Sequence, residues 1–404
     1  MSLAILFPHP FGRSLGSDRR VRELSSVLSK RLGIPINIYT PFIKEPFNIG
    51  AGISVKPIPS PLSSSLLAGA LYHLSRRIYY DRRLCRAFLV RYLLASGGAL
   101  SERLCPLLER DGALAIQAEQ DVSLPLALQA GEALDIPVIV DLHNIITEEL
   151  VAAGAIRPGE RTYELLQELM TDWLSQADLV CVVSQEMAKY VVSRYGIRAQ
   201  DVVVVPPGGR PRVSEAVLLR RRRDKVVYAG TLSYREHVDL LVRSAPYVKA
   251  VRPLARFYAT ARGEDIKRIV KLDKKLGSNI TFFWFPDERR FFRFLSSCSL
   301  AVLPSSSDMA RKMGTPIKLL DYMSVGLPVV ANAVGGWSRI IADERIGLLV
   351  SDEPRDFADA ILELLGDDEL RLEMAKRALK LVSDKYSWDR TAEPLVRAYV
   401  HMLS

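Results

Sequence analysis

The sequence predicts an α/β protein made of two doubly wound parallel sheets, and three observations carry that prediction. Short apolar runs rich in Val, Ile and Leu alternate with longer amphipathic segments along the whole chain, as parallel strands buried on both faces alternate with their crossover helices. The alternation stops once, at Pro206-Pro-Gly-Gly209, and then restarts. The chain also has 404 residues, more than one ordinary core holds and enough for two domains of about 200 residues.

In the first half, Leu3–Phe7, Ile36–Tyr39, Ala113–Ala118, Val138–Leu142, Leu179–Val183 and Val202–Val205 read as strands. Asp18–Arg31 and Leu124–Leu134 read as helices between them. Paired prolines and glycines from Pro206 continue neither a strand nor a helix, which predicts a linker over 206–224 between domains at 1–205 and 225–386. The second series of strands is Lys225–Ala229, Ala255–Thr260, Ile280–Phe285, Leu300–Leu303, Pro328–Ala331 and Gly347–Val350. Its helices are expected near Val238–Ala250, Glu264–Leu276, Arg289–Ser296, Pro316–Val325, Pro354–Leu365 and Asp368–Lys385, with a last amphipathic helix over Trp388–Leu403.

Composition narrows the class. Apolar residues make up 49% and charged residues 25%, an ordinary globular balance. The four cysteines, Cys85, Cys105, Cys181 and Cys298, form no metal-binding spacing and read as reduced thiols. The N-terminal apolar run ends at Pro8 and lacks a basic flank, so it reads as a first strand rather than a secretory signal. No stretch of about 18 apolar residues suggests a membrane span. A cytoplasmic protein is expected. The net charge of +9 suits an anionic ligand, an anionic membrane or nucleic acid, but no nucleic-acid-binding motif accompanies it.

The most informative segment is Met313-Gly-Thr-Pro-Ile-Lys-Leu-Leu-Asp-Tyr-Met-Ser-Val-Gly-Leu-Pro-Val-Val-Ala-Asn332. Thr315 is expected as N-cap and Pro316 as first helical residue, with Ile317 completing the helix start. That start follows a parallel strand, where open α/β sheets bind ligands. Its free N–H groups suit a phosphate, Lys318 adds charge, and Asp321 on the same face offers acceptors to a ribose. Gly326 ends the helix. The competing reading is a capped, packed helix whose Lys318 and Asp321 are only solvated.

This segment resembles the nucleotide-sugar motif of glycosyltransferase family 4, whose members have the GT-B fold: two Rossmann-like domains facing a cleft. That family pattern has two acidic residues seven positions apart. Here Asp321 stands at the second and Met313 at the first, where a carboxylate supports the donor sugar in the family. Asp141-Leu-His143-Asn144 is similar to the family's Asp-x-His signature, which implies that His143 contacts the transferred sugar; the alternative is a histidine satisfied in the core. Gly16 and Ser17 resemble the Gly-rich loop near the diphosphate. Gly230 and the segment to His237 resemble the diphosphate clamp, but Thr231 and Glu236 stand where the family has Arg and Lys. Arg235 or His237 then supplies the charge from a shifted position, or Arg235 is a surface charge and Lys318 carries the load. Gly335-Gly336 resembles the turn near the donor sugar, and Ser387-Trp388 the start of a last helix crossing back to the first domain. Ala118-Glu119-Gln120 is placed on the acceptor side by topology alone.

The resemblance implies transfer of a sugar from a nucleoside-diphosphate sugar to a glycan or lipid-linked acceptor, with retention. No cofactor is expected, and no metal, because no Asp-x-Asp pattern is found. His143, Arg235 and Lys318 are the expected catalytic groups; Gly16, Ser17, Gly230, Thr315, Pro316, Ile317, Asp321 and Gly335 are the expected substrate contacts. Two alternatives stay open. One is another GT-B enzyme such as a sugar-nucleotide epimerase. The other is a non-catalytic nucleotide-sugar-binding subunit, motivated by Met313, Thr231 and Glu236. Residues 64–104 carry six arginines between 76 and 91 amid Leu, Tyr and Phe. They suit peripheral contact with an anionic membrane or form a solvated basic face.

Overall fold

The computed structural model describes residues 1–9, 11, 15–59, 97–214, 218, 224–285 and 287–404. The chain divides into two compact units, Met1–Pro206 with Ala392–Ser404, and Pro207–Thr391. Both are α/β with predominantly parallel sheets.

In the first unit the strands are β1 (Ser2–Leu6), β2 (Ile36–Thr40), β3 (Phe47–Gly50), β4 (Ile53–Pro57), β5 (Ala113–Glu119), β6 (Val138–Leu142), β7 (Leu179–Val182) and β8 (Val202–Val204). They form one sheet in the order β3-β4-β2-β1-β5-β6-β7-β8. All pairs are parallel except β3 with β4. The order steps outward from β1 in both directions, so β1 and β5 meet where the winding reverses, and the loops beyond their C-terminal ends are the expected ligand side. Every residue of β1, β2, β6 and β7 is buried, as strands covered by helices on both faces must be. Among the described residues the helices are α1 (Leu15–Leu32), α2 (Gly97–Arg110), α3 (Leu124–Leu134), α4 (Ile146–Ala152), α5 (Arg161–Ser175) and α6 (Gln185–Tyr195). The β3–β4 hairpin is absent from the sequence expectation. Its strands are short, and the Phe47 side chain is exposed, so no buried run marks it.

The second unit has an all-parallel sheet of β9 (Lys225–Tyr228), β10 (Arg256–Thr260), β11 (Ile280–Phe283), β12 (Leu300–Leu303), β13 (Val329–Asn332) and β14 (Gly347–Val350), in the order β11-β10-β9-β12-β13-β14. Alternation along β9 divides the core. Val226 and Tyr228 pack with Leu241, Phe257 and Ile361 on one face; Val227 and Ala229 pack with Leu319, Tyr322 and Met323 on the other. Helices α7 (Asp239–Val251), α8 (Ile266–Leu276), α9 (Glu288–Ser296), α10 (Met309–Met313), α11 (Ile317–Ser324), α12 (Gly335–Asp343), α13 (Pro354–Gly366), α14 (Asp368–Asp384) and α15 (Trp388–Thr391) belong to it.

The single terminal helix expected from Trp388 to Leu403 is two: α15 and α16 (Glu393–Leu403), with Pro394 in the first turn of the latter. Proline suits the start of a helix and not its interior, which puts the break at Ala392. There the chain also leaves the second unit and rejoins the first. In the first unit α16 is tied by Arg31 to Glu393 at 2.8 Å and by the buried Tyr399 hydroxyl donating to Gln117 Oε1 at 2.8 Å. Cys105, Cys181 and Cys298 are free thiols; Cys85 lies outside the described residues. Among the described residues no helix is long and apolar enough to cross a membrane.

Candidate functional site

Each unit gathers its polar side chains at the C-terminal ends of adjacent central strands. In the first unit these are His9 beyond β1, Gln120 beyond β5, His143 beyond β6, and Ser17 in the first turn of α1. Gly16 and Ser17 were expected in a loop before that helix, but the helix already begins at Leu15 and includes them. Gly12 and its neighbours lie outside the described residues.

Beneath this group is a buried charge pair. Arg20 Nε and Nη2 donate to Asp141 Oδ2 and Oδ1, both at 2.7 Å, with both residues almost fully buried. This two-point pairing anchors the end of β6 that carries His143. Glu119, opposite Asp141 in the strand register, is fully buried. Burial, with the Asp141 charge beside it, pushes its carboxyl well above the usual range. Gln117 Nε2 donates to Glu119 Oε1 at 2.7 Å, and Glu119 Oε2 lies 3.9 Å from His143 Nδ1.

His143 Nε2 accepts from Gln120 Nε2 at 2.7 Å and from the Ser17 hydroxyl at 3.3 Å, while His9 Nε2 donates to Gln120 Oε1 at 2.7 Å. Burial lowers His143 to about 4 and also depresses His9, so both imidazoles are neutral near pH 7. Glu119, Asp141 and His143 each bring a ligand atom within 4.8 Å of the others. They do not fit a metal ion well, since both Asp141 oxygens are committed to the Arg20 guanidinium, which would itself repel a cation.

In the second unit, α11 starts one residue later than the sequence implied. Pro316 is extended (φ −70°, ψ 118°) and serves as N-cap, so Thr315 does not cap the helix and Ile317 is the first helical residue. The residue before a proline is driven out of helical conformation, which moves Thr315 outside. Asp321 and Tyr322, one turn further in, are buried. The Tyr322 hydroxyl accepts from the Ala229 N–H at 2.8 Å, fixing α11 against the end of β9.

Lys318 reaches over the same strand end. Its ammonium donates to the Tyr228 hydroxyl at 3.1 Å and to the Glu236 carboxylate. Gly230 makes this approach possible, because a Cβ there would sit 2.8 Å from the Tyr228 hydroxyl and 2.9 Å from Lys318 Nζ. The Gly230 N–H donates to Thr260 Oγ1 at 3.1 Å. Glu236 also receives Arg311 from α10, so one carboxylate 6% exposed lies between two cations. Burial opposes its ionisation, but Arg311 and Lys318 outweigh burial and hold it at about 2. Burial lowers Lys318 despite Glu236.

Lys318 is therefore paired in this state rather than solvated. Arg311 is the residue the sequence reading missed. It sits between the strand and the recognised segment, and only the short helix α10 turns it toward Glu236. Arg235 lies in a 3-10 turn (Tyr234–Glu236), where its carbonyl accepts from Ser306 N–H at 2.8 Å. Thr231 is exposed, with its carbonyl accepting from Tyr228 at 3.0 Å; His237 has φ 43°. Met313 is buried and fills core where the family pattern has a carboxylate. Gly335 opens α12 rather than a turn. Its φ is 63°, and a Cβ would lie 2.3 Å from the Lys312 carbonyl oxygen, so packing alone requires glycine there.

Comparison with known proteins bears on the fold and the family. Residues 16–208 match the model of the glycosyl transferase 4-like domain, and residues 223–367 match that of glycosyl transferases group 1. The D-inositol 3-phosphate glycosyltransferase of Paenarthrobacter aurescens (strain TC1) is 27% identical over 311 residues, covering 72% of this chain and 73% of that protein. The protein of the same name from Nocardia farcinica (strain IFM 10152) is 27% identical over 280 residues, covering 64% and 60%. Among solved structures, sucrose-phosphate synthase from Thermosynechococcus elongatus superposes with TM-score 0.76 at 19% identity, covering 100% of this chain and 99% of that one. Anabaena HepE in complex with UDP and glucose superposes with TM-score 0.71 at 15% identity, covering 99% of each. The fold is that of these GT-B proteins, and the chain is a glycosyltransferase of the family 4-like, group 1 kind.

Proposed function

We propose that this glycosyltransferase moves a sugar from a nucleoside-diphosphate donor to a hydroxyl of a glycan, polyol phosphate or lipid-linked acceptor, with retention and without a metal at the diphosphate. The observation that supports this most is the convergence of Arg311 and Lys318 on Glu236 beside the Gly230 main chain. Two half-buried cations at a strand end and helix start are suited to a diphosphate, whose leaving charge they stabilise in place of a divalent ion. The Glu236 carboxylate is the group a diphosphate displaces. Asp321 offers acceptors to the ribose, with Thr315, Pro316 and Ile317 lining the phosphate side. In the first unit His143, with Ser17 and Gly16 near it, meets the hydroxyls of the transferred sugar. Arg235 adds charge from its turn. The polyol phosphate acceptor is suggested by the names of the inositol-phosphate relatives. Contact with an anionic membrane through residues 64–104, at the cytoplasmic face, fits the arginine content of that segment; residues 64–96 lie outside the described residues.

The test is a thermal-shift panel of UDP-, GDP- and ADP-sugars with and without EDTA. The accepted donor stabilises the protein by about 2.7 kcal/mol at a hundred times its Kd, equally in EDTA. A shift that EDTA abolishes refutes the metal-free reading, and no shift with any nucleotide sugar refutes the donor assignment.

A further inference from the structure

Gln120 stands out among the residues around His143. It follows β5 with φ 63° and ψ 162°, a region nearly reserved for glycine and strained for a side-chain-bearing residue. The main chain is held there on both sides. The Gln120 N–H donates to the Asp141 carbonyl at 3.0 Å, and its own carbonyl accepts from the Ser123 N–H at 3.3 Å. The residue is 8% exposed. The strain delivers the carboxamide between two imidazoles, where Oε1 accepts from His9 and Nε2 donates to His143.

A neutral imidazole has one donor nitrogen and one acceptor nitrogen. Using His143 Nε2 as acceptor places its proton on Nδ1, the nitrogen facing Glu119 Oε2. The second donor on Nε2 is the Ser17 hydroxyl at 3.3 Å, a longer contact that marks where another hydroxyl can approach. A glycine at 120 would adopt this main chain without cost and keep both main-chain bonds, so packing alone does not call for a glutamine.

We propose that Gln120 is a positioning residue for sugar transfer. Its carboxamide bridges His9 and His143 and presets His143 in the Nδ1–H form, so that Nε2, shared with the Gln120 carboxamide N–H, accepts a hydroxyl of the transferred sugar in the place the Ser17 hydroxyl now holds. This rests on the reading of His143 as the sugar contact.

The test uses the full chain with 15N-labelled histidine and long-range 1H–15N correlation at neutral pH, together with melting temperature and nucleotide release from UDP-, GDP- and ADP-sugars. Wild type should show His143 as the Nδ1–H tautomer. Gln120→Gly should lose that preference and melt no lower than wild type, while kcat falls on the order of tenfold or more with donor KM little changed. Gln120→Glu keeps the length and the strain but cannot donate, so His143 should take its proton on Nε2, again with reduced kcat. A wild-type His143 protonated on Nε2, or variants with an unchanged tautomer, would overturn the proposal, as would altered tautomers with undiminished kcat. His143→Ala separates the two readings. If it keeps wild-type turnover, His143 is not the sugar contact, and the tautomer measurements still decide whether Gln120 governs the imidazole.

Discussion

Burial takes the His143 imidazole from 6.5 down to about 4, and that displacement is a statement about stability as well as chemistry. Between those pH values the unfolded chain binds a proton that the folded chain refuses, so the contribution is lost as pH falls from 6.5 to 4. Two and a half units correspond to about 3 kcal/mol. Asp121 acts in the opposite sense: burial raises it from 3.8 to about 7 although it accepts from the Ile146 N–H, so it favours the folded state as pH falls through that window. The raw profile mixes the two, and His143→Gln isolates one. Urea denaturation should show wild type losing stability relative to His143→Gln between pH 6.5 and pH 4; parallel profiles would contradict a buried neutral His143. At this scale the sequence was partly legible. Lys318 could be singled out as a charge at a helix start after a strand, whereas Gly230 and the role of His143 came from the resemblance to the family. Topology placed Glu119 and Gln120 near the site without giving their roles, and Arg311 was missed, because those roles come from strand register, backbone strain and a one-turn helix, none of which leaves a periodic trace.

For single elements, the pairing between α11 and the 3-10 turn before α7 decides how the second unit responds to an anion. Glu236 pairs with both Arg311 and Lys318 and offsets one of their two charges. Removing its charge leaves two half-buried cations close together without their shared carboxylate, a loss on the order of 1–3 kcal/mol. Glu236→Gln should therefore melt lower without nucleotide and gain more than wild type when UDP, GDP or ADP is added, because diphosphate oxygens replace the missing carboxylate. An equal or smaller gain by differential scanning fluorimetry would show that these cations do not receive the diphosphate. The strands and helices named from the sequence lie within three residues of their observed bounds, whereas α2, α5, α6 and α12 were not named. The misses have local causes: Pro316 is an N-cap rather than a first helical residue, Pro394 divides the terminal helix, and the β3–β4 hairpin lacks a buried run.

Across the whole molecule, the two-sheet architecture was legible because each parallel strand, covered on both faces, had to be apolar along its length. Strand order and the exact return point of the chain were not, since neither depends on local composition. Tyr399 ties α16 to Gln117 across 282 residues of sequence, with the whole second unit inserted between Pro206 and Ala392. Tyr399→Phe leaves Gln117 Oε1 buried without that donor, at a cost of about 1–3 kcal/mol. The loss should appear in the melting of the first unit, while Trp388 fluorescence, reporting on the second, is unaffected; a second unit destabilised equally would contradict this assignment.

The discontinuity also makes the two units unequal in their dependence on chain continuity. The inserted unit has all its residues between Pro207 and Thr391, whereas the lobe that it interrupts also needs Ala392–Ser404. A cut near Ala392 would therefore spare the insert and strip a helix from its host.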